Sequence, residues 1–205
     1  MIIYVESNFV LELALEQEDA ASAKTILSLA EQGVVELSFP VFALIEPYWT
    51  IGKNKLDRDN LYRLLYNQVK LLKRSEQHRA LASVLDPVME EMQKLYKKEN
   101  DLLELSVRRL LKVGRPIAIT GSVVAQSLSY QGQFDFTPQD AVIYAALMAD
   151  LQQRDPAEVK CFTSRDTQFD DPGIKAELQL YNCRHIVEFR HALQYIESTN
   201  KPDDS

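Results

Sequence analysis

The 205-residue sequence predicts an α/β fold with a central parallel sheet, on three observations. Short apolar runs at residues 2–6 and 34–39 flank a helical pattern at 19–32 through short links, and that order implies parallel pairing. Residues 159–164 are apolar and bounded by charge, as expected of a strand covered on both faces. The helix before it, opened by Thr137 and Pro138, is apolar on nearly every side, which suits a helix buried against such a sheet.

The remaining elements follow in chain order. Residues 2–6 (IIYVE) form a strand that ends on a carboxylate, Glu6, and FVLELAL starts the first helix. Asn8 either caps that helix or steadies the Glu6 side chain. Ala23, Ile26, Leu27 and Ala30 give residues 19–32 helical spacing, and Gly33 ends the helix. Residues 40–53 read as a further helix, with Pro47 as a kink and Glu46 among apolar neighbours. Residues 57–74 carry Leu61, Leu64, Leu65, Val69 and Leu72 at amphipathic spacing. A longer helical stretch spans about 77–112, with Asp86-Pro87 as a cap and restart. A short strand at 117–120, a helix from about 122 to 130, and then the Thr137-capped helix follow. After the 159–164 strand, residues 177–181 resemble an edge strand and 187–196 a last helix.

Composition limits the function classes. With 46% hydrophobic residues the chain can bury a real core without staples. The apolar start MIIYVESNFVLELAL lacks a basic n-region and is interrupted by Glu6 and Glu12, so a signal peptide or membrane span is not expected and a cytoplasmic location is. Cys161 and Cys183 have no CxxC spacing and read as buried thiols, while His78, His185 and His191 form no zinc pattern. Charge is divided unevenly. Residues 53–112 carry 14 Lys+Arg against 9 Asp+Glu, and the rest of the chain 9 against 21. The basic helices could meet a phosphate backbone or simply form a solvated face with paired charges.

The acidic part holds the candidate chemistry. In open α/β sheets, ligands bind beyond the carboxyl ends of the strands. Glu6 lies there after the first strand and Asp166 after the fourth. Asp140 lies in the first turn of the Thr137 helix, and Glu46 near the start of the helix after strand two. Taken singly, Asp140 is a helix-dipole residue, Asp166 a turn residue and Glu46 a solvated acid. Converging, the four would repel one another and need a counter-charge. Mg²⁺ or Mn²⁺ supplies one with oxygen ligands alone, and can orient a water against a phosphodiester. Asp170 and Asp171 are reserve candidates.

These residues resemble a known family. Glu6-Ser7-Asn8 followed by FVLEL is similar to the opening DxN motif of PIN domains, and ALIEPY to their acid-bearing helix. TPQDAVIYAALM resembles their "DA…A" helix, and TSRDTQF their T/S-x-D-x-x-F segment. The likeness covers about residues 1–52 and 115–190. It implies a three-layer α/β/α sandwich with a central parallel sheet of four to five strands, here with an extended helical hairpin. One PIN-like domain would span 1–197, with a basic helical insertion at about 53–113 and a disordered tail at 198–205. The resemblance assigns metal ligation to Glu6, Glu46, Asp140 and Asp166, with Asn8 and Ser164 in support. It implies a Mg²⁺- or Mn²⁺-dependent endoribonuclease, with the toxin of a toxin-antitoxin pair as one form, an RNA substrate, and an antitoxin or a second copy as partner. Two departures stand out: Glu6 replaces the usual Asp, and the insertion exceeds that of compact PIN toxins. They leave room for a catalytically weakened module that binds RNA or protein. A receiver or haloacid-type phosphatase fits poorly, because the first strand lacks the nucleophilic Asp and DxD pattern.

Overall fold

In the computed structural model, which describes residues 1–199, the four residues Ile2–Val5 (β1) are all buried. β1 is central. It pairs with Glu36–Pro40 (β2) on one side and Lys160–Thr163 (β4) on the other. Arg115–Ile117 (β3) and Cys183–Ile186 (β5) form the outer strands, so the sheet is parallel throughout with the order β3-β2-β1-β4-β5.

Side-chain alternation along the strands builds the two outer layers. Ile3 and Val5 of β1, with Leu37 and Phe39 of β2, face one core, which includes Phe9, Leu13, Ile26, Leu27 and Phe189. That layer contains the helices Ser7–Leu15 (α1), Ala20–Glu31 (α2) and Phe189–Thr199 (α8). Ile2 and Tyr4 face the opposite core, with Phe162, Phe136, Tyr144 and Phe169. Gly121–Phe134 (α5), Pro138–Leu151 (α6) and Pro172–Gln179 (α7) cover that face. The result is a three-layer α/β/α sandwich.

Between β2 and β3 the chain leaves the sheet as two long helices, Glu46–Leu72 (α3) and Arg79–Val113 (α4). The separate helices expected at 40–53 and 57–74 are one. Residues Val41–Leu44 form a 3-10 turn, and Pro47 sits in the first turn of α3, where a missing N–H costs nothing, instead of kinking its interior. Nor does Pro87 restart α4. It lies on the exposed side, where water can reach the carbonyl of exposed Ser83 that loses its partner.

Two further expectations are corrected. The third strand is three residues long and lies at Arg115–Ile117, earlier than 117–120. Residues 177–181 are not the edge strand: Asp171 caps α7 by accepting from the Gly173 N–H at 2.7 Å, and Ile174 and Leu178 place one buried stripe at i, i+4. The edge strand is instead β5. Ser198 and Thr199 belong to α8, and the rest of the tail expected at 198–205 lies outside the described residues.

Two polar networks and one close backbone approach fix the layers. Lys160, fully buried at the start of β4, donates to the carbonyls of Asp155 (2.5 Å), Glu158 (2.8 Å) and Tyr181 (3.2 Å). At the last turn of α6, Asp150 accepts from Tyr4 Oη at 2.8 Å and pairs with Arg115, while Arg154 pairs with Glu36. This network anchors α6 to β1, β2 and β3, and so sets where its other end, with Asp140, stands. Third, Gly114 admits no side chain: a Cβ there would meet Phe39 Cε1 at 2.6 Å and the carbonyl oxygens of Leu110 and Leu37 at 3.1 and 3.3 Å. Gly114→Ala is therefore expected to destabilise the fold by about 1–3 kcal/mol in thermal unfolding. An unchanged midpoint would contradict that close approach.

Candidate active site

The chain runs from β1 outward to β2 and β3, then returns to place β4 on the other side of β1. The boundary between β1 and β4 is thus the topological switch point, where open parallel sheets leave a crevice at their carboxyl ends. Glu6 follows β1 and Ser164 follows β4, so these two residues flank it.

Glu6 is only 2% exposed. It acts as the N-cap of α1: its Oε2 accepts from the Asn8 backbone N–H at 2.8 Å. Asn8 therefore contributes its main chain here, and Glu6 does the capping. Oε1 is buried without a hydrogen-bond partner. Burial pushes the Glu6 carboxyl up to about 7, and the nearby Asn8, Ser7 and Ser164 donors reduce that effect without cancelling it.

Ser7 is the residue that sequence reasoning passed over. Its Oγ lies 2.8 Å from Glu6 Oε2 and 2.6 Å from Glu46 Oε2. One hydroxyl carries one proton, so both contacts are hydrogen bonds only when one of the carboxyls is protonated. The buried Glu6 is the natural holder: as an acid it donates to Ser7, which donates onward to Glu46. The available signal was a hydroxyl between a strand-end acid and a helix.

Glu46 is half-buried as the first residue of α3. Asp140 is the third residue of α6, where the Thr137 hydroxyl caps its backbone N–H at 3.3 Å and also hydrogen-bonds to its carboxylate. Partial burial is the main cause that raises the Asp140 pKa, and the charges of Asp166 and Glu46 raise it further. Asp140 therefore feels both of the other acids. Asp166 has its N–H held by Ser164 Oγ at 3.0 Å, and its carboxylate accepts from the Gln168 N–H at 2.8 Å.

Asp170 and Asp171 have local duties instead. Asp170 pairs with Lys175 at 2.6 Å, and Asp171 caps α7. A second missed contact is the pair between Arg165 and fully buried Glu12 of α1, with Glu18 3.0 Å from the same guanidinium. It ties the Ser164–Asp166 turn to the helix that begins beside Glu6. A groove of about 490 Å³ beside β5, lined by Lys175, Asn182, Arg184, His185 and Tyr195, shares none of the acids.

The donor set beyond β1 and β4 is all oxygen, and one buried carboxylate oxygen is unpaired; both suit a hard divalent cation. Each of the four acids is turned to a local donor, however, and among the described residues no three His, Cys, Asp or Glu side chains are gathered as a metal cage. The basic hairpin is also more neutral than its composition suggested: Lys55, Arg58, Lys73, Lys94, Lys98, Arg108 and Arg109 all pair with carboxylates. No helix among the described residues is long and apolar enough to cross a membrane. The chain matches no family model, no curated protein and no solved structure.

Proposed function

We propose that the chain is a PIN-like, Mg²⁺- or Mn²⁺-dependent endoribonuclease that hydrolyses RNA phosphodiester bonds, with the toxin of a toxin-antitoxin pair as one form it could take. The observation that carries this reading is the coupling of acids at the switch point. Glu6 and Glu46 share the Ser7 hydroxyl, and Asp140 is held against its ordinary ionisation by burial together with Asp166 and Glu46. Glu6, Glu46, Asp140 and Asp166 would hold the cation, with Asn8 and Ser164 orienting Glu6. Bound there, Mg²⁺ or Mn²⁺ would supply charge neutralisation and Lewis acidity for phosphodiester hydrolysis.

The protein's own contribution is placement. Ser7 fixes the spacing of two carboxylates, and the Arg165–Glu12 pair fixes the turn that bears Asp166. The first turns of α3 and α6 carry Glu46 and Asp140, so two helix N-termini lie beside the acids, and their partial positive charge favours a phosphate nearby. An antitoxin protein would be a further partner of such a toxin.

The test is cleavage of a fluorescence-quenched, mixed-sequence RNA by the purified protein. Cleavage is expected in Mg²⁺ or Mn²⁺ and none in EDTA; a folded protein inert in both metals would overturn the proposal. One observation favours a second reading, a PIN-like module that binds RNA or a protein partner with weakened catalysis: every acid is engaged by a local donor, and Glu6 is one methylene longer than the Asp of the resembling motif. Thermal stabilisation by Mn²⁺ without any turnover would select it.

A further inference from the structure

The helical hairpin has two parts. The end of α4 joins the main core through Leu103 and Leu110, and the start of α3 joins it through Ile51. Farther out, α3 and α4 hold only each other, around a small cluster of Val69, Ala82 and Met89 edged by Tyr62, Leu65, Leu72 and Leu85. Two helices seldom bury enough apolar surface to stand alone.

The same outer portion exposes a set of large apolar side chains. On one flank of α3 they are Leu61 (48%), Leu64 (66%) and Leu71 (56%), with Tyr66 (52%) on the other flank; on α4 they are Leu81 (55%), Val84 (67%), Val88 (52%) and Leu95 (38%). At about 100° per residue, the stripe on each helix sits roughly 90° from the edge it packs against the other helix. Because the two helices are antiparallel, these offsets bring both stripes to one side of the hairpin. The face runs about 20 Å along the axis. Glu91, which borders it on α4, is already paired with Lys94.

We infer that this face of the α3–α4 hairpin is a dimer interface that takes the same face of a second copy of the chain, forming a four-helix bundle. The area decides for this occupant. The seven side chains expose roughly 700 Å² of surface per chain, above the few hundred Å² usual for the largest apolar patch of a monomer. Two such faces together would bury up to about 1,400 Å², inside the range of about 1,200–2,000 Å² for a stable interface. A twofold arrangement sets the apolar stripe against itself, with no unpaired charge forced under it, and gives each small outer cluster the second layer it lacks. The inference is independent of the nuclease reading, since none of the seven residues belongs to the acidic site.

Sedimentation equilibrium of the full chain tests it. The wild type is expected to be a dimer at low micromolar concentration, and Leu64→Glu/Val88→Glu to weaken association at least about 100-fold with unchanged helical circular dichroism. Leu180→Glu, a substitution of an equally exposed leucine (77%) beyond α7, should remain dimeric. A monomeric wild type at 100 µM, or a Leu64→Glu/Val88→Glu variant that still dimerises, would overturn the inference. If the double variant loses helicity, Val84→Lys alone reads the same face.

Discussion

Asp140→Asn is expected, on the proposed nuclease reading, to lower metal-dependent RNA cleavage by at least about 100-fold while leaving the fold intact. The two halves of that result have separate causes. Asparagine keeps an oxygen for the Thr137 hydroxyl and leaves the backbone N–H of residue 140 capped as before. It loses the favourable meeting of a charge with the helix N-terminus, worth about 0.3–1 kcal/mol. It also removes the burial cost of the carboxylate and its repulsion by Asp166 and Glu46. Stability should therefore change little, and an equal melting temperature beside lost cleavage would assign the loss to chemistry. Cleavage at the wild-type rate would remove Asp140 from the site. A collapse of both together would make Asp140 a structural residue.

Glu6→Gln should make the protein more stable in alkaline solution, by about 5 °C at pH 8 against nearly no difference at pH 5. The sign follows from the raised carboxyl. Between about 4.5, its ordinary value, and about 7, the folded chain keeps a proton on Glu6 that the unfolded chain has released. Stability from this group is thus greatest at low pH, falls as pH rises through that window, and is level above it. Buried His185 works in the opposite direction: its pKa is lowered from 6.5, so its share is lost as pH falls. Comparing variant with wild type at each pH cancels that share. Glutamine imitates the protonated acid in carrying no charge, and its amide oxygen can still accept from the Asn8 N–H or from Ser7. Identical melting curves at both pH values would mean that the Ser7 bridge carries no shared proton. In the nuclease reading, Mg²⁺ at pH 8 should also stabilise the wild type and not the variant.

The layered fold was legible because several signals agreed locally. Apolar strands ended on polar residues, Thr137-Pro138 marked a helix start, and an unbroken apolar helix preceded an apolar strand. The last strand was not, because residues 177–181 share apolar side chains with a strand, while the real signal lay in the Asp171-Pro172 cap just upstream. Cys183 and His185 alternate with exposed Arg184 over only four residues, too short a run to announce β5. Proline misled in α3 and α4: Pro47 sits in the first turn, Pro87 is exposed, and the packing of one helix on the other carries the chain through. At the site, the strand and helix ends that hold Glu6, Glu46, Asp140 and Asp166 could be read from sequence. The Ser7 bridge could not, because it depends on α3 folding back over β1 from 39 residues away. Charge pairing on the hairpin was one of the readings the sequence allowed, but its distant partners were hidden: Arg109 meets Glu31 and Lys98 meets Glu16 across long sequence separations.

The position of β1 also sets a timetable for folding. Ile2 pairs with Glu36 on one edge but with Lys160 on the other, so the centre of the sheet is made from the two ends of the chain's folding history. During synthesis, β1, β2 and the hairpin can associate while one edge of β1 is bare, and closing it requires a loop that contains most of the protein. The crevice beside Glu6 has only one wall until residues 160–166 leave the ribosome. A nascent chain therefore cannot assemble the acidic site before the segment that bears Ser164 and Asp166 has emerged.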